Sequence, residues 1–423
     1  MKTTTAQHVK RRGDPAVLEM PTLTLRRQLI QAMGMRYDPL MTSVSESESA
    51  PDFGEIYVDP QPSLLDLLRQ PSHALVFADY GMGKTATRLA LEYALRNTHA
   101  AQPALCVTYT PHISRQDRAA AGPTLEQHLA ALGTDVAIDL VIQLIERADK
   151  NPQMLSEQQR AALLRQAGSL PLRMRRRFRD AARASEGDLK DGIIWRDIRA
   201  IVRHVAVTPQ WHEWVKQIAF DSAGSPQPVS WEQTLADARI LGFPQIYILI
   251  DAVDEDIGAA ESGVLDRAAL RATVAPLLAE MQQFYGQNVM LKCFLPADLQ
   301  ELAQIRDHGQ FEGLTVPIEI VNIAQVSQAH LEAIVNERLQ AASVSNASFR
   351  SLDWFKGPDV DQSIQSHLAF IARGSPRRMI ELSSQLLDYH SHHGFKTDGR
   401  IWLTYSEWQA FLARLDALSL ASP

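Results

Sequence analysis

Hydrophobic and polar positions follow two rhythms along the chain. Short apolar runs bounded by Gly, Pro or polar residues read as buried strands at 74–78, 103–109 (PALCVTY), 246–250, 289–295 and 318–323. Between them the spacing is helical. Residues 85–96 place Ala86, Leu89, Ala90, Tyr93 and Ala94 on one face, and 231–241 and 265–284 read as further helices. From about Pro123 to Phe220 the pattern is helical throughout: Leu125, His128, Leu129 and Leu132, then Ile138, Val141, Ile142 and Leu144, then 161–170 and 194–205. Residues 222–229 (SAGSPQPV) read as a loop. After residue 324 helices are predicted at 327–341, 364–372, 376–389 and 405–415. Upstream, Leu25, Leu29, Ile30 and Met33 mark a short helical arm, and the stretch 43–51 (SVSESESAP) reads as a linker. Strands alternating with helices predict an α/β fold with a parallel sheet, interrupted by a large helical insertion and followed by a helical C-terminal domain. The expected divisions are 1–54 (arm and linker), 55–111 and 230–324 (the two halves of the core), 112–229 (insertion) and 325–423 (helical domain).

Composition narrows the class without naming a chemistry. With 423 residues, two or three domains are expected. A hydrophobic fraction of 45% and a charged fraction of 22% suit a globular chain with a large core. The formal net charge of −7 argues against a dedicated nucleic-acid coat. The two cysteines, Cys106 and Cys293, each lie inside an apolar run, which excludes a disulfide scaffold and a cysteine-based zinc site. A reducing cytoplasm is the expected location. No apolar run reaches the roughly 18–20 residues that span a bilayer. Lys2, Lys10, Arg11 and Arg12 have no apolar segment behind them, so no secretory signal is expected.

Chemistry enters at residues 78–85, Ala78-Asp79-Tyr80-Gly81-Met82-Gly83-Lys84-Thr85. The phosphate-binding pattern G-x-x-x-x-G-K-[ST] is met at Gly83, Lys84 and Thr85, with Ala78 at the first glycine position. Such a turn lets backbone N–H groups converge on phosphate oxygens, and the following helix adds its positive end. Asp79, Tyr80, Gly81, Met82, Gly83, Lys84, Thr85 and Ala86 are therefore candidate nucleotide-binding residues. Lys84 would neutralise the β- and γ-phosphates, and the Thr85 hydroxyl would face Mg²⁺. A second element, Tyr247-Ile248-Leu249-Ile250-Asp251-Ala252-Val253-Asp254-Glu255, is a buried strand ending in carboxylates. Ligands collect at that edge of a parallel sheet. Asp251 is the second candidate metal residue, and Asp254 and Glu255 are candidates to polarise an attacking water. The long spacing between Lys84 and Asp251 accommodates the insertion.

AxxGxGKT combined with hhhhDxxDE resembles the STAND class of P-loop ATPases, relatives of AAA+ proteins that include NACHT and apoptotic-ATPase proteins. Two later segments carry the same resemblance. VSQAHLEAIVNERL (326–339) is similar to the helix that opens the lid region of that class. Gly374-Ser375-Pro376-Arg377-Arg378-Met379 resembles both its G-x-P motif and the G-x-x-R sensor-2 motif of origin-recognition-type AAA+ proteins. By that likeness Arg377 reaches the γ-phosphate, with Arg378 second. The same segment offers Ser375 as N-cap and Pro376 at the first helical position. In the sensor-1 place, where NACHT-like proteins often end in Ser-Arg-Pro, this chain has Lys292-Cys293-Phe294-Leu295-Pro296, leaving Lys292 and Asp298 as polar candidates. The resemblance spans roughly 55–110 and 230–390.

It implies a P-loop NTPase fold, ATP and Mg²⁺ as ligands, slow or partner-activated ATP hydrolysis, and a nucleotide-dependent switch that self-associates or engages a protein partner in bacterial-type signalling or defence. Two rivals are weighed. Arg173–Arg179 holds five arginines in seven residues and would suit a DNA-handling AAA+ ATPase, though a solvated or protein-contacting helix face is favoured. A nucleotide-binding scaffold with little turnover is the third reading. His390, His392 and His393 read as a polar loop rather than a metal site, and Trp195, Trp211, Trp214 and Trp231 as core.

Overall fold

The computed structural model describes residues 25–41, 56–97, 103–111, 122–150, 155–172, 175, 228–253, 267–301, 316–344 and 349–421. The chain forms two compact units, Ser49–Ala324 and the combination of Met1–Glu48 with Gln325–Pro423.

The first unit is built on five parallel strands, β1 (His73–Ala78), β2 (Ala104–Tyr109), β3 (Gln245–Ile250), β4 (Val289–Pro296) and β5 (Ile318–Ile323), in the order β2-β3-β4-β1-β5. All five lie where the apolar runs predict them. Continuous apolar strands are what a sheet covered on both faces demands, and alternation sorts their side chains. Ala74, Val76, Cys106, Tyr247, Leu249, Met290 and Phe294 pack with α1 (Leu64–Leu68) and with Leu91 and Leu95 of α2 (Lys84–Asn97). Leu75, Phe77, Leu105, Val107, Ile246, Ile248, Leu291 and Cys293 share the other core with α3 (Leu125–Lys150), α4 (Glu157–Ser169), α5 (Trp231–Ile240), α6 (Arg267–Ala279) and α7 (Met281–Gly286). β5 is an edge strand, with Val321 and Ile323 buried and Ile320 exposed.

Strand order and helix side together locate a crevice. The helix after β1 covers one face, because β1 connects to the far edge of the sheet. The helices after β2 and β3 cover the other face, because those connections run back toward β1. The segments leaving β1 and its neighbour β3–β4 pair thus diverge at the carboxyl ends of the strands, the place where open α/β sheets bind ligands.

Three features depart from the periodicity. The two apolar stretches at 125–132 and 138–144 form one helix, α3, whose Leu132, Val136, Leu140 and Val141 line the sheet core. The helix expected over 265–284 is two: α6 runs through Pro276, and the chain bends at Glu280 (φ −101°) before α7. The buried side of α2 is Thr87, Arg88, Ala90, Leu91 and Leu95; of the face expected from the spacing Ala90 is buried, whereas Ala86, Leu89, Tyr93 and Ala94 are only half-buried. Arg88 can face inward because carboxylates meet it there.

β2 closes the other edge, and α3 covers it with a side chain. The Gln143 carbonyl accepts from the Cys106 backbone N–H (3.2 Å), and its amide donates to the Cys106 carbonyl. One glutamine therefore stands in for a neighbouring strand at the middle of β2.

In the second unit, helices α8 (Gln328–Ala342), α9 (Ile364–Ala372), α10 (Pro376–His390) and α11 (Tyr405–Ala421) surround Leu331, Val335, Leu339, Leu368, Leu386 and Trp408. The helix over 25–32 adds Leu29 and Ile30 to the same core, with Met33, Met35 and Leu40 following. Arg26 fastens it by pairing with Asp38 and Asp388 (2.9 Å to the latter) and donating to Ser384. Residues 25–41 are thus a component of the helical unit. Among the described residues no helix is long and apolar enough to cross a membrane.

Candidate functional site

The glycine loop leaves β1 at the crevice and enters α2. Gly81 (φ 78°) and Gly83 (φ 94°) both occupy the left-handed region, so the turn needs residues without a Cβ. At Gly83 the requirement is conformational, because an added Cβ would meet nothing within 4 Å. The Met82 N–H closes the turn on the Asp79 carbonyl (3.3 Å), and the buried Met82 side chain anchors the loop in the sheet-face core. Asp79 and Tyr80 face solvent. Helix α2 starts with Thr87 N–H donating to the Gly83 carbonyl at 2.9 Å, seconded by the Thr87 hydroxyl at 3.0 Å. Lys84 arches back so that Nζ donates to the Ala78 carbonyl at 2.9 Å. Its ammonium therefore stands across the loop, directed at the last residue of β1.

Asp251 follows β3 directly and is buried, and Ala252 turns the chain in the left-handed region (φ 57°). That conformation is sparsely populated for alanine and stores of order 1 kcal/mol at this strand end. The Asp251 Oδ2 accepts from Arg88 Nε at 2.9 Å. Arg88 Nη1 continues to Glu92 (3.0 Å) and to the Thr108 hydroxyl (3.3 Å). Arg96 bridges Glu92 to Asp139, each at 2.9 Å. Acidic and basic groups thus alternate from the end of β3, along α2, to α3. Burial by itself would raise the Glu92 carboxyl, but Arg96, Arg88 and Thr108 hold it below its ordinary range. Thr85, half-buried, precedes Arg88 by one turn of α2.

Of the residues singled out by sequence, the loop from Asp79 to Thr85, with Ala86 behind it, and Asp251 lie at the carboxyl edge of the sheet. Asp254 and Glu255 lie outside the described residues, as do Trp195, Trp211 and Trp214. Lys292 belongs elsewhere: it pairs in register with Ala74, and its Nζ donates to the Gln70 carbonyl (3.0 Å) ahead of β1, at the opposite edge. Asp298 pairs with Arg267 at 2.9 Å. In the helical unit Ser375 caps α10 by accepting from the Arg378 N–H, with Pro376 in the first turn. Arg377 lies 4.0 Å from Glu381 one turn on. Of the arginine run, Arg175 is described: it is buried, and Nε donates to the Leu170 carbonyl (2.9 Å) while Nη2 reaches Gly168, so it caps the end of α4. His390, His392 and His393 each hydrogen-bond a backbone carbonyl, those of Arg400, Asp388 and Tyr389. Trp231 is buried edge-on to Phe284.

Sequence reasoning missed Arg88, Glu92 and Thr108. The i,i+4 spacing of Arg88, Glu92 and Arg96 was a visible signal, but it reads equally as a solvated helix face. Comparison of the chain with protein-family models, with curated proteins and with solved structures finds no match.

Proposed function

We propose that this chain is a P-loop ATPase that binds ATP with Mg²⁺ and acts as a slow, nucleotide-dependent switch. The observation that carries the reading is the loop itself. Two left-handed glycines and an inward-arched lysine join β1, an interior strand between β4 and β5, to a helix N-terminus, at the crevice where the sheet's connections diverge. Backbone N–H groups and the helix dipole favour an anion there. Lys84 would exchange the Ala78 carbonyl for phosphate oxygens, a charge-assisted contact stronger than the neutral one it replaces.

The oxygen donors on this edge suit magnesium. Among the described residues no group of three or more His, Cys, Asp or Glu forms a protein cage for a metal. Mg²⁺ commonly takes one or two protein oxygens and completes its shell with phosphate and water. Asp251, whose Oδ1 has no partner among the described residues, and the Thr85 hydroxyl would hold it. Its contribution would be to neutralise charge on the transferring phosphoryl group. Asp254 or Glu255 would polarise water, a role that rests on their spacing from Asp251, and Arg377 would sense the γ-phosphate, a role that rests on the family resemblance. The helix-capping role of Arg175 removes one cation from the surface that the DNA-handling reading needs. In this proposal the protein works in the cytoplasm through self-association or a protein partner.

The test combines calorimetric ATP binding, phosphate release and mass photometry on wild type and Lys84→Ala, with ATP and Mg²⁺. ATP should bind wild type and raise its mass in solution, and Lys84→Ala should weaken binding at least tenfold and abolish the larger species. Equal ATP binding by the two proteins, or none by wild type, refutes the proposal.

A further inference from the structure

The Asp251–Arg88 pair is buried on both sides, with side-chain exposures of 3% and 7%. A buried ion pair adds little to stability over an apolar pair of the same shape, so its place beside the candidate site calls for another explanation. Its geometry supplies one. Arg88 engages only Oδ2 of Asp251, through Nε. Its Nη1 is held on the far side by Glu92 and Thr108, one from α2 and one from β2. The guanidinium is therefore held from α2 and β2 as well as by Asp251. It stands one helical turn after Thr85, on the same stripe of the helix that opens with Lys84.

We infer that Arg88 is a positioning residue for the metal side of this site. It fixes the Asp251 carboxylate by one oxygen, so that the other is presented toward the Thr85 end of α2, and ties the glycine-loop helix to the end of β3. The inference rests on the ATP·Mg²⁺ reading of the loop, and it concerns the metal dependence of nucleotide binding rather than the loop's grip on phosphate. Outer-shell partners that orient a metal-binding carboxylate typically change metal affinity 10–100-fold when removed. Lysine at position 88 would keep the charge without the fork that reaches Asp251 and Glu92 together.

The experiment measures binding of a fluorescent ATP analogue to wild type, Arg88→Gln, Arg88→Lys and Asp251→Asn, first in EDTA and then across a Mg²⁺ titration. Thermal unfolding without nucleotide reports whether each variant is folded. Both Arg88 variants should raise the Mg²⁺ half-saturation about tenfold or more, toward the value for Asp251→Asn. Their affinity in EDTA should change far less. Should Arg88→Gln not fold, Arg88→Lys, which keeps a buried cation opposite Asp251, carries the test. An unchanged half-saturation, a lower one (Arg88 competing with the metal), or equal losses with and without Mg²⁺ (a purely structural role) overturns the inference and leaves the ATPase reading standing. A wild type that binds no analogue in either buffer overturns that reading, and this inference with it.

Discussion

Lys292 sits in the middle of β4, fully buried, flanked in register by Ala74 of β1 and Leu249 of β3. Its Nζ has one carbonyl, that of Gln70 at 3.0 Å, and lies 5.6 Å from the centre of the Tyr247 ring. Burial pushes its pKa down from 10.5 to about 7, against an upward pull from Glu319. The unfolded chain restores the ordinary value, so between about pH 7 and 10.5 the unfolded state binds a proton that the folded state lacks. This lysine's contribution to stability must therefore rise with pH across that window. At roughly 1.4 kcal/mol per pKa unit, holding this lysine in the sheet costs about 4–5 kcal/mol at pH 6–7, of which roughly 1 kcal/mol remains at pH 9.5. Lys292→Met keeps the length and removes the charge, while losing the Gln70 hydrogen bond and the ring contact, together about 1–3 kcal/mol. The variant should then be more stable than wild type by about 1–3 kcal/mol at pH 7, and the gain should vanish or reverse by pH 9.5. Urea unfolding at pH 6, 7.5 and 9.5, read by a fixed-pH pulse of hydrogen exchange on peptides covering 289–296, isolates this strand from the helical unit. A wild-type-to-variant difference that is the same at all three pH values would refute the reasoning, as would a variant less stable than wild type at pH 6.

Two further outcomes follow from the packing. Gln143→Leu strips the Cys106 N–H and C=O of their edge partner, and at about 1–3 kcal/mol per buried unsatisfied group the sheet unit should lose roughly 2–4 kcal/mol; urea midpoints of wild type, Gln143→Leu and Gln143→Asn would show it, with no loss for leucine counting against the side-chain strand. Gly374→Ala places a Cβ 2.8 Å from that of Gln325 at a residue with φ 78°, so the helical unit should unfold earlier by about 1–3 kcal/mol; calorimetry should show that transition moving and the other unchanged.

Much of the frame was legible because its causes are short-range. Five apolar runs became five strands: β1 to β4 are buried on both faces and read as apolar runs, and the edge strand β5 carries Glu319 and Asn322 among its isoleucines and valine. Ser375 before Pro376 marked the start of α10 because a cap is a contact within one turn. The glycine loop was visible by spacing alone. The positions that the sequence left unplaced depend on groups far away in the chain. Arg88 carried no distinguishing signal, and faces inward because Asp251, 163 residues on, neutralises it. Lys292 looked like a strand-end polar group, and lies mid-strand between Ala74 and Leu249 with its Nζ turned to the Gln70 carbonyl ahead of β1. The 265–284 helix breaks at Glu280, a position at which the apolar periodicity itself carries no interruption.

By itself, then, the sequence determined the inventory: parallel strands, a glycine turn ahead of a helix, a carboxylate at a strand end, and a helical C-terminal region. Those follow from hydrophobic periodicity and backbone preference, which act over a few residues. Tertiary structure decided the order of the strands, the joining of residues 25–41 to the C-terminal helices, and the pairing of Arg88 with Asp251. These are long-range choices, in which burying a charge is tolerable only where the folded chain brings an opposite one to meet it.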